Sequence, residues 1–413
     1  MKNILILAES LRINETSSGI VSSTFISVLA KRYNVSVLYV NDFKYPVTWL
    51  ERVTLFPMEY TSRKQFFFEK IPKIRGLPSI LYGNSMEFRH KVRIWKEAIR
   101  FLLKKNNYDL IVALGSGISF LPHWSLLEIK SDIPVIMNFH DPYPVSWYPL
   151  PYRKKRNWIY MKQEQVTKRI VKRADCISFP SYLLRDMMIT YLPTIKEKSF
   201  VFPHIGTRLI KLPESEHDHE VRLPLSPFKI LHAGTLLEQR KADYLLEAFR
   251  RLQKEDKEFL VSSSLTFIGK VNKENYKIIQ NNNIKNVHFI DKRLSYKRTL
   301  ELLQEVELAL VIEAAGDFSP FMPGKLADIF YREKPVLALT PEVSEVRRIL
   351  GVNYPYMAEP NDVDGIYDAL KKAWLAWKSG KLNLPDVERL QNYVSPESFL
   401  ERFDKMLSHL GLR

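Results

Sequence analysis

Cysteine is nearly absent from this sequence. Cys176 is the single cysteine among 413 residues, so no disulfide bond can form within the chain. This scarcity favours a reducing compartment, which for most proteins is the cytoplasm. We therefore predict a cytoplasmic protein, with the inner face of the cell membrane as an alternative position.

Long apolar runs are also missing. The most apolar stretch, Leu110–Leu127, is interrupted by two glycines, a proline and a histidine, whereas a membrane-spanning helix needs about 20 consecutive apolar residues. The N-terminal run MKNILILAES is apolar for only about six residues and turns polar at once, unlike a secretory signal. We read it as a buried first strand and predict no membrane span.

Acidic residues are in short supply. The chain has 46 Asp and Glu against 62 Lys and Arg, for a formal net charge of +16. Much of the excess lies in residues 63–105, where basic and aromatic residues are interleaved. This pattern suits an anionic membrane face or an anionic acceptor. An ordinary solvated helix with core aromatics is the alternative; nucleic acid fits less well, and we expect no nucleic-acid partner.

Strand-like apolar runs alternate with helix-length segments along the whole chain. Most of the runs are continuously apolar, as strands buried on both faces of a parallel sheet should be. This βαβ rhythm predicts an α/β protein with doubly wound sheets. The predicted strands are Ile4–Ala8, Val35–Val40, Asp109–Leu114, Pro134–Phe139, Cys176–Phe179, Phe200–Phe202, Lys229–Ala233, Leu265–Gly269, Val287–Ile290, Leu308–Ile312 and Pro335–Leu339.

The chain is too long for a single hydrophobic core to be the default. Leu212–Pro227 is polar, acidic and flanked by prolines, and it predicts an exposed linker. We expect an N-terminal domain over 1–210, a linker over 211–227 and a C-terminal domain over 228–394. A final helix is expected within 395–413, near the domain junction. Ligands of such sheets bind beyond the carboxyl ends of the strands, which predicts a cleft between the domains.

Two segments of the second half have the chemistry of a phosphate site. The strand Lys229–Ala233 leads into Gly234 and Thr235, then into Arg240 just before a helix. A glycine lets the backbone approach a ligand, and a cation at a helix start can hold phosphate. An ordinary strand–turn–helix with solvated cations is the alternative.

The segment after Leu308–Ile312 carries the stronger pattern. Ser319, Gly324 and Lys325 can present a hydroxyl, bare backbone N–H groups and a positive charge to one anion at the start of a helix. Asp328 lies about one turn further on the same face, where it can accept hydrogen bonds from ribose hydroxyls. Its alternative role is to stabilise the helix dipole.

These two segments resemble family 4 glycosyltransferases. The segment that opens the C-terminal domain of that family is similar to HAGTLLEQRKADYLLEAFRRL, and its donor-binding segment is similar to FMPGKLADIFYREKPVLAL. The resemblance covers roughly Lys229 to Leu350 well and the first half loosely. It implies the GT-B fold, in which two Rossmann-like parallel-sheet domains face each other across a cleft.

The resemblance implies a role for individual residues of the second half. Arg240 matches the lysine that binds the donor diphosphate, and Asp328 matches the glutamate that holds the ribose. Loop and helix-start positions around the donor match Gly234, Thr235, Ser319, Gly324, Lys325 and Leu326. The loop that passes the nucleobase matches Lys292, Arg293 and Leu294. The chain departs from the family at Thr235, where an arginine is usual, and at Pro320, where the first glutamate of a spaced pair is usual. Glu313 or Asp317 is a candidate to reach the sugar instead.

The first half offers two weaker matches. Ser18 and Gly19 resemble the glycine-rich loop, as phosphate or acceptor contacts, with an ordinary helix start as the alternative. His140 and Asp141 follow a predicted strand and resemble the family's catalytic histidine–aspartate site. A capped core histidine beside a helix-starting aspartate is the alternative.

Together these features predict transfer of a sugar from a nucleoside-diphosphate sugar to a hydroxyl of a glycan or lipid-linked acceptor, in cell-surface polysaccharide synthesis. The nucleotide sugar is a co-substrate, and we expect no permanent cofactor and no metal, since cations and a helix N-terminus can stabilise a leaving diphosphate. The resemblance implies retention of anomeric configuration. An inverting GT-B transferase, a sugar-nucleotide epimerase and a non-catalytic GT-B-like subunit remain alternatives.

Overall fold

A computed structural model describes residues 1–43, 45–60, 79, 81, 83–115, 117, 119–206, 212, 218, 220–281 and 283–412. Two compact units are present. Unit 1 consists of Met1–Tyr148, Tyr152–Pro203 and Phe399–Arg413, and unit 2 of Pro149–Pro151 and His204–Ser398. Among the described residues, no helix is both long and apolar enough to cross a membrane.

Unit 1 is built on a parallel sheet of seven strands in the order β3-β2-β1-β4-β5-β6-β7. The strands from β1 to β6 are nearly all buried, apart from the edge strand β3, because helices cover both faces of the sheet. The strands are β1 Asn3–Ala8, β2 Asn34–Val40, β3 Val53–Met58, β4 Leu110–Leu114, β5 Val135–Asn138, β6 Cys176–Phe179 and β7 Ser199–Val201. The described helices are α1 Ser17–Leu29, α2 Met86–Lys105, α3 Leu121–Leu126, α4 Trp158–Arg173 and α5 Tyr182–Tyr191, with short 3-10 turns at Val145–Trp147 and Pro193–Lys198.

Unit 2 repeats this plan with six parallel strands in the order β10-β9-β8-β11-β13-β15. The strands are β8 Phe228–Ala233, β9 Ser263–Ile268, β10 Val287–Ile290, β11 Leu308–Ile312, β13 Val336–Leu339 and β15 Met357–Ala358, and a separate two-stranded ribbon joins β12 Phe318–Ser319 to β14 Val343–Ser344. The helices are α6 Asp243–Glu255, α7 Lys257–Ser262, α8 Lys273–Gln280, α9 Tyr296–Gln304, α10 Gly324–Tyr331, α11 Glu345–Leu350, α12 Val363–Lys378, α13 Val387–Tyr393 and α14 Pro396–His409.

In each sheet the first three strands are added toward one edge, and the chain then returns to the other side of the first strand and adds the remaining strands toward the opposite edge. This reversal of the strand order is that of a Rossmann fold. In unit 2 the reversal falls between β8 and β11. These two strands pair through Ile230 with Leu308 and Leu231 with Ala309, in the middle of β8 and at the amino end of β11. Beyond those pairs their carboxyl ends are not joined, and side chains following β8 and β11 meet there.

The eleven predicted strands all exist, with ends shifted by two residues at most. The strand β3 was not predicted, because it lies at the sheet edge with partly exposed residues and contains Pro57, so it lacks a continuous apolar run. The two-residue strands β12, β14 and β15 were also missed, because they are too short to leave a pattern.

The segment expected to be an exposed linker is partly buried. Asp218 and Leu223 are among the buried residues of unit 2, so the expectation of exposure is wrong at these two positions. Asp218 accepts a hydrogen bond from the backbone N–H of Ser295 at 2.6 Å and lies 3.6 Å from the ammonium of Lys292. Residues 207–211, 213–217 and 219 lie outside the described part, so the predicted domain limits at 210 and 227 stay predictions.

The final helix exists where the sequence predicts it. Within unit 1, Phe399 packs edge-on against Phe25 with ring centroids 5.0 Å apart, and against Phe202 at 5.5 Å. Asp404 accepts a hydrogen bond from the hydroxyl of Tyr33. Although α14 begins in unit 2, the helix therefore belongs to unit 1 from Phe399 onward and packs against its aromatic residues.

Candidate functional site

The candidate site lies at the carboxyl ends of β8 and β11 in unit 2. Gly234 follows β8 with a φ of +127°, a conformation that favours glycine. A Cβ on Gly269, after β9, would lie 2.4 Å from the carbonyl oxygen of Gly234. The close approach of the two backbones therefore requires glycine at position 269, and the positive φ favours glycine at position 234.

The ammonium of Lys325 lies directly beside this glycine turn. A Cβ on Gly234 would be 3.8 Å from Lys325 Nζ. That same Nζ is 3.0 Å from Nε2 of His232, a residue of β8 that is 1% exposed. Burial and the nearby charge of Arg240 lower the pKa of Lys325 to about 7. In the described part of the structure, Lys325 has no carboxylate partner.

Arg240 belongs to the same cluster. Its charge acts on Lys325, on His232, whose pKa is lowered mainly by burial, and on the carboxyl of Glu313. The neighbouring Lys241 is instead paired with Glu274 at 2.5 Å. The structure thus places the charge of Arg240 close enough to act on Lys325, and Lys241 is paired elsewhere; the binding of a diphosphate by Arg240 and Lys325 stays a prediction.

Ser319 is held by a buried carboxyl rather than facing open space. Its hydroxyl donates to Oε1 of Glu313 at 2.6 Å, and Thr340 donates to Oε2 of the same residue. Burial raises the pKa of Glu313 to about 7. Glu313, considered from the sequence as a possible sugar contact, is 3% exposed and holds two hydroxyls of the protein, while Asp317 is exposed.

The helix α10 starts at Gly324, as predicted near Lys325, and no side chain caps its N-terminus. The N–H of Leu326 donates to the carbonyl oxygen of Pro323 at 2.9 Å, so the groups that can face an anion are the N–H groups of Gly324 and Lys325. The dipole of the helix adds to the positive potential of Arg240 and Lys325. Leu326 is buried in the core behind this turn. Thr235 lies exposed beside Gly234.

Asp328 lies one turn along α10 and is 8% exposed. Its Oδ1 accepts a hydrogen bond from the hydroxyl of Tyr296 at 2.7 Å and lies 3.6 Å from Nη1 of Arg332. Burial raises the pKa of Asp328 to about 6. The sequence analysis missed Tyr296, which was visible only as an aromatic residue at the start of a predicted helix.

The predicted nucleobase loop precedes Tyr296. Arg293 is exposed and Leu294 is buried, and the loop is tied down where Asp218 receives the N–H of Ser295. Asp218 has no counterpart among the residues singled out in the sequence. An acidic residue in a polar stretch carries no signal that it will be buried.

In unit 1, Gly19 has a packing role. A Cβ on Gly19 would lie 2.5 Å from the carbonyl carbon of Arg12, and its N–H donates to the hydroxyl of Thr16, which caps α1. The hydroxyl of Ser18 also donates to Thr16, at 3.3 Å. These contacts favour the ordinary helix start that the sequence left open, and the phosphate or acceptor role of Ser18 and Gly19 stays a prediction.

His140 and Asp141 follow β5 at its carboxyl end, and both are partly buried. The charge of Asp141 contributes to raising the pKa of Tyr148, whose main cause is burial. A third side chain near this strand end is His123, which is fully buried. Its Nε2 lies 2.8 Å from the carbonyl oxygen of Asn138, the last residue of β5. The structure keeps His140 and Asp141 adjacent at a strand end, and their catalytic role stays a prediction.

The expectation of a metal-free site rested partly on the absence of an Asp-x-Asp sequence, but one such sequence occurs in unit 2, at Asp362–Asp364. Asp362 caps α12 by accepting the N–H of Gly365 at 3.0 Å, and Asp364 pairs with Arg251 at 2.7 Å. Both carboxylates thus have structural partners. Among the described residues, no three His, Cys, Asp or Glu side chains group as metal ligands would.

Comparison with known proteins agrees with this architecture. Residues 51–204 match the family model described as Glycosyltransferase Family 4. The matched segment lies in the first half of the chain, whereas the resemblance drawn from the sequence rests on Lys229–Leu350. No curated protein sequence matches the chain.

Solved structures similar to the whole chain include an α,α-trehalose-phosphate synthase (UDP-forming) from Burkholderia xenovorans in complex with glucose-6-phosphate. It has a TM-score of 0.64 and 12% identity, over 99% of this chain and 100% of that one. A trehalose-6-phosphate protein from E. coli bound with UDP-2-fluoro glucose has a TM-score of 0.62 and 11% identity, over 98% of each chain. The apo lipopolysaccharide outer core galactosyltransferase WaaB has a TM-score of 0.59 and 13% identity, over 98% and 99%.

The fold is GT-B. The prediction of two Rossmann-like parallel-sheet domains is confirmed, and so is the resemblance to family 4 glycosyltransferases. At these identities the structural likeness establishes the fold alone.

Proposed function

We propose that this GT-B protein is a glycosyltransferase that takes a sugar from a nucleoside-diphosphate sugar, with the donor diphosphate bound in unit 2 by Arg240, Lys325 and the N-terminus of α10. The nucleotide sugar is a co-substrate that comes and goes. In the same site, Asp328 holds the ribose and the loop of Arg293 and Leu294 faces the nucleobase.

The observation that carries this proposal is the charge of the Lys325 cluster. A partly buried ammonium lies 3.0 Å from His232 and close to Arg240, and the described part of the chain supplies it with no carboxylate. Such an arrangement is costly unless an anion completes it. Gly234 leaves space beside Lys325 Nζ, and the uncapped α10 adds N–H donors, so a diphosphate fits the site in charge and in donors.

The comparisons support this choice of ligand. The E. coli structure is bound with UDP-2-fluoro glucose and the Burkholderia xenovorans structure with glucose-6-phosphate. The same fold therefore binds a nucleoside-diphosphate sugar in one of these proteins and a sugar phosphate in the other. By analogy, we propose a glycan or lipid-linked hydroxyl as the acceptor here, in cell-surface polysaccharide synthesis in the cytoplasm.

Two candidates for the chemistry follow from unit 1. We propose that His140 and Asp141 act at the reacting sugar, and that the transfer retains anomeric configuration without a metal ion. If Asp141 instead acts as a general base, the transfer inverts. The anomeric proton signal of the product in NMR separates these two outcomes, and an epimerase reveals itself as a changed nucleotide sugar with no acceptor consumed.

The experiment for the donor site compares nucleotide-sugar turnover or hydrolysis in Arg240→Ala, Lys325→Ala and the control Lys371→Met. Lys371 is partly exposed on α12 and paired with Glu255 at 2.5 Å, so its substitution removes a cation that lies outside the proposed site. Loss of one diphosphate contact should lower the rate about 10²–10³-fold, or roughly 2–4 kcal/mol. Normal transfer by both site variants rejects the assignment. If no nucleotide sugar binds to the unchanged protein, the non-catalytic alternative holds.

We also propose peripheral contact of residues 63–105 with an anionic membrane. Residues 61–78 lie outside the described part, so the support comes from α2. There Phe101 is 55% exposed, and the ammonium of Lys105 lies 4.5 Å from its ring centroid. An exposed aromatic beside cations suits a lipid interface. The protein should sediment with phosphatidylserine vesicles, and the double substitution Phe101→Ser with Lys105→Glu should lower the fraction that sediments. Equal binding to neutral vesicles contradicts the proposed membrane contact.

A further inference from the structure

His232 is the one described side chain that hydrogen-bonds to the ammonium of Lys325. The distance from Nε2 to Nζ is 3.0 Å. His232 lies on β8, one of the two strands that flank the reversal of the sheet, and it is 1% exposed. Its ring lies 6.0 Å from that of Phe267 on the adjacent strand β9. The ring is therefore a fixed part of the sheet, in contrast to the flexible lysine that it contacts.

The chemistry of the contact determines the state of the ring. A charged ammonium can only donate hydrogen bonds, so Nε2 of His232 must accept and carry no proton. Protonation of the ring would then place a third positive charge beside those of Lys325 and Arg240. Burial and both of these charges keep the pKa of His232 well below its ordinary range. Whenever Lys325 carries its proton, the imidazole is thus a neutral acceptor.

This contact also decides where the charge of Lys325 is placed. A lysine side chain has four rotatable bonds and pays in entropy when it is fixed. Anchored at His232, Nζ lies 3.8 Å from the position of a missing Cβ on Gly234, at the open carboxyl end of β8. One of its three N–H donors is used by the ring, and two remain for an anion.

We infer that His232 is a positioning residue of the donor site: its neutral ring holds the ammonium of Lys325 beside Gly234, ready for the diphosphate. The inference rests on the proposed function and adds to it a residue that does not touch the ligand. Because Lys325 is already anchored, less side-chain entropy is lost when the diphosphate binds. The positive charge of Lys325 also stays next to the position where negative charge develops on the leaving diphosphate.

Two substitutions at His232 separate positioning from plain packing. In His232→Gln the amide oxygen can reach the place of Nε2 and accept from Lys325, while His232→Leu fills much of the volume and accepts nothing. The matched control is His288→Leu, since His288 is exposed on the edge strand β10. The probe for binding is inorganic pyrophosphate, which needs no knowledge of the base or sugar, followed by calorimetry, and thermal unfolding reports folding.

We expect His232→Leu to weaken pyrophosphate binding about tenfold or more, as loss of a buried hydrogen bond to a charged group implies. We expect His232→Gln to stay within about threefold of the unchanged protein. The pH above which affinity falls should move lower in His232→Leu, because the charged form of Lys325 has lost its acceptor, and a packing defect alone would not move it. The charged group facing Lys325 in both proteins is Arg240.

Equal pyrophosphate affinity and equal pH profile in His232→Leu, with the unchanged protein binding normally, overturns the inference. Equal losses in His232→Gln and His232→Leu also overturn it, since the acceptor would then be irrelevant. If Lys325→Ala binds pyrophosphate as well as the unchanged protein does, the proposed donor site itself fails, and this outcome is distinct from the other two. Should His232→Leu unfold, the comparison of His232→Gln with Lys325→Ala still decides.

Discussion

Replacing Lys325 by methionine should make the ligand-free protein more stable while it destroys the site. The lysine keeps its charge in a partly buried place, next to Arg240 and without a described carboxylate. Methionine has a similar length and no charge. Lys325 thus lowers the stability of the ligand-free protein and lies at the proposed diphosphate site. A residue with this combination is expected to serve ligand binding and not folding.

The size of the effect follows from the pKa of Lys325. Its value falls from 10.5 to about 7, and each pH unit corresponds to about 1.4 kcal/mol, so about 5 kcal/mol is the upper limit of the penalty. Partial exposure of Lys325 and the lost hydrogen bond to His232 each reduce the gain, and we expect at least about 1 kcal/mol at pH 7. For a unit of this size that raises Tm by about 2–4 °C.

The pH dependence of this gain has a definite sign. Below pH 7 both the folded and unfolded states carry the proton on Lys325, and the full penalty applies. As pH rises toward 10.5, the unfolded state loses its proton too and the penalty disappears. The stability difference between Lys325→Met and the unchanged protein should therefore shrink from pH 7 to pH 10.

The assay is calorimetric unfolding with and without a nucleoside diphosphate at about 100 times its Kd, which should add about 2.7 kcal/mol to the unchanged protein and nothing to Lys325→Met. Lys371→Met serves as the control and should change neither quantity in this way, because it removes a partly exposed cation that is paired with Glu255. A Lys325→Met protein that is less stable at pH 7, or that keeps the ligand-induced rise, refutes the reasoning.

Three further outcomes are expected. Gly206→Ala should lower the free energy of unfolding by about 1–3 kcal/mol, because the new Cβ would lie 2.5 Å from the Cβ of Tyr331. In the control Gly316→Ala the nearest atom to the new Cβ is the carbonyl oxygen of Leu150 at 3.4 Å, so thermal unfolding should change little. The stability gain of Glu313→Gln should grow between pH 4.5 and about 7, because the raised pKa of Glu313 delays ionisation in the folded state only; a flat profile contradicts this. Asp328→Ala should abolish a roughly 10–100-fold preference for a ribonucleoside diphosphate over its 2′-deoxy form, and an unchanged preference argues against a ribose contact.

Much of the fold was predictable because its strands are buried on both faces. A continuous apolar run such as that of β11 marks such a strand whatever packs against it. The edge strand β3 was missed since one side of it meets no other strand, so its sequence needs no such run. The burial of Asp218 was equally invisible, because it depends on the N–H of Ser295, far away in the sequence.

The candidate site shows the same division. Arg240, Gly234 and Lys325 could be predicted because a phosphate site needs cations, glycine and a helix start at fixed places along the chain. The partners that hold these groups could not. His232 reads as one more strand residue, and Tyr296 as a helix start, since only tertiary packing brings them to Lys325 and Asp328. The opposite holds for Gly19, which resembles part of a ligand-binding motif in the sequence. In the structure, glycine is needed there because a Cβ would lie 2.5 Å from the backbone of Arg12.

The most direct test of the Lys325 site is the number of protons taken up when a nucleoside diphosphate binds at pH 8. It is measured by calorimetry in buffers of different ionisation enthalpy. At this pH the phosphate is already ionised. With a pKa of about 7, Lys325 is then mostly neutral when free, and an adjacent diphosphate should return its proton, giving an uptake of about 0.9 proton. Lys325→Arg should bind with almost none. Binding without proton uptake in the unchanged protein, or equal uptake in Lys325→Arg, would contradict the assignment.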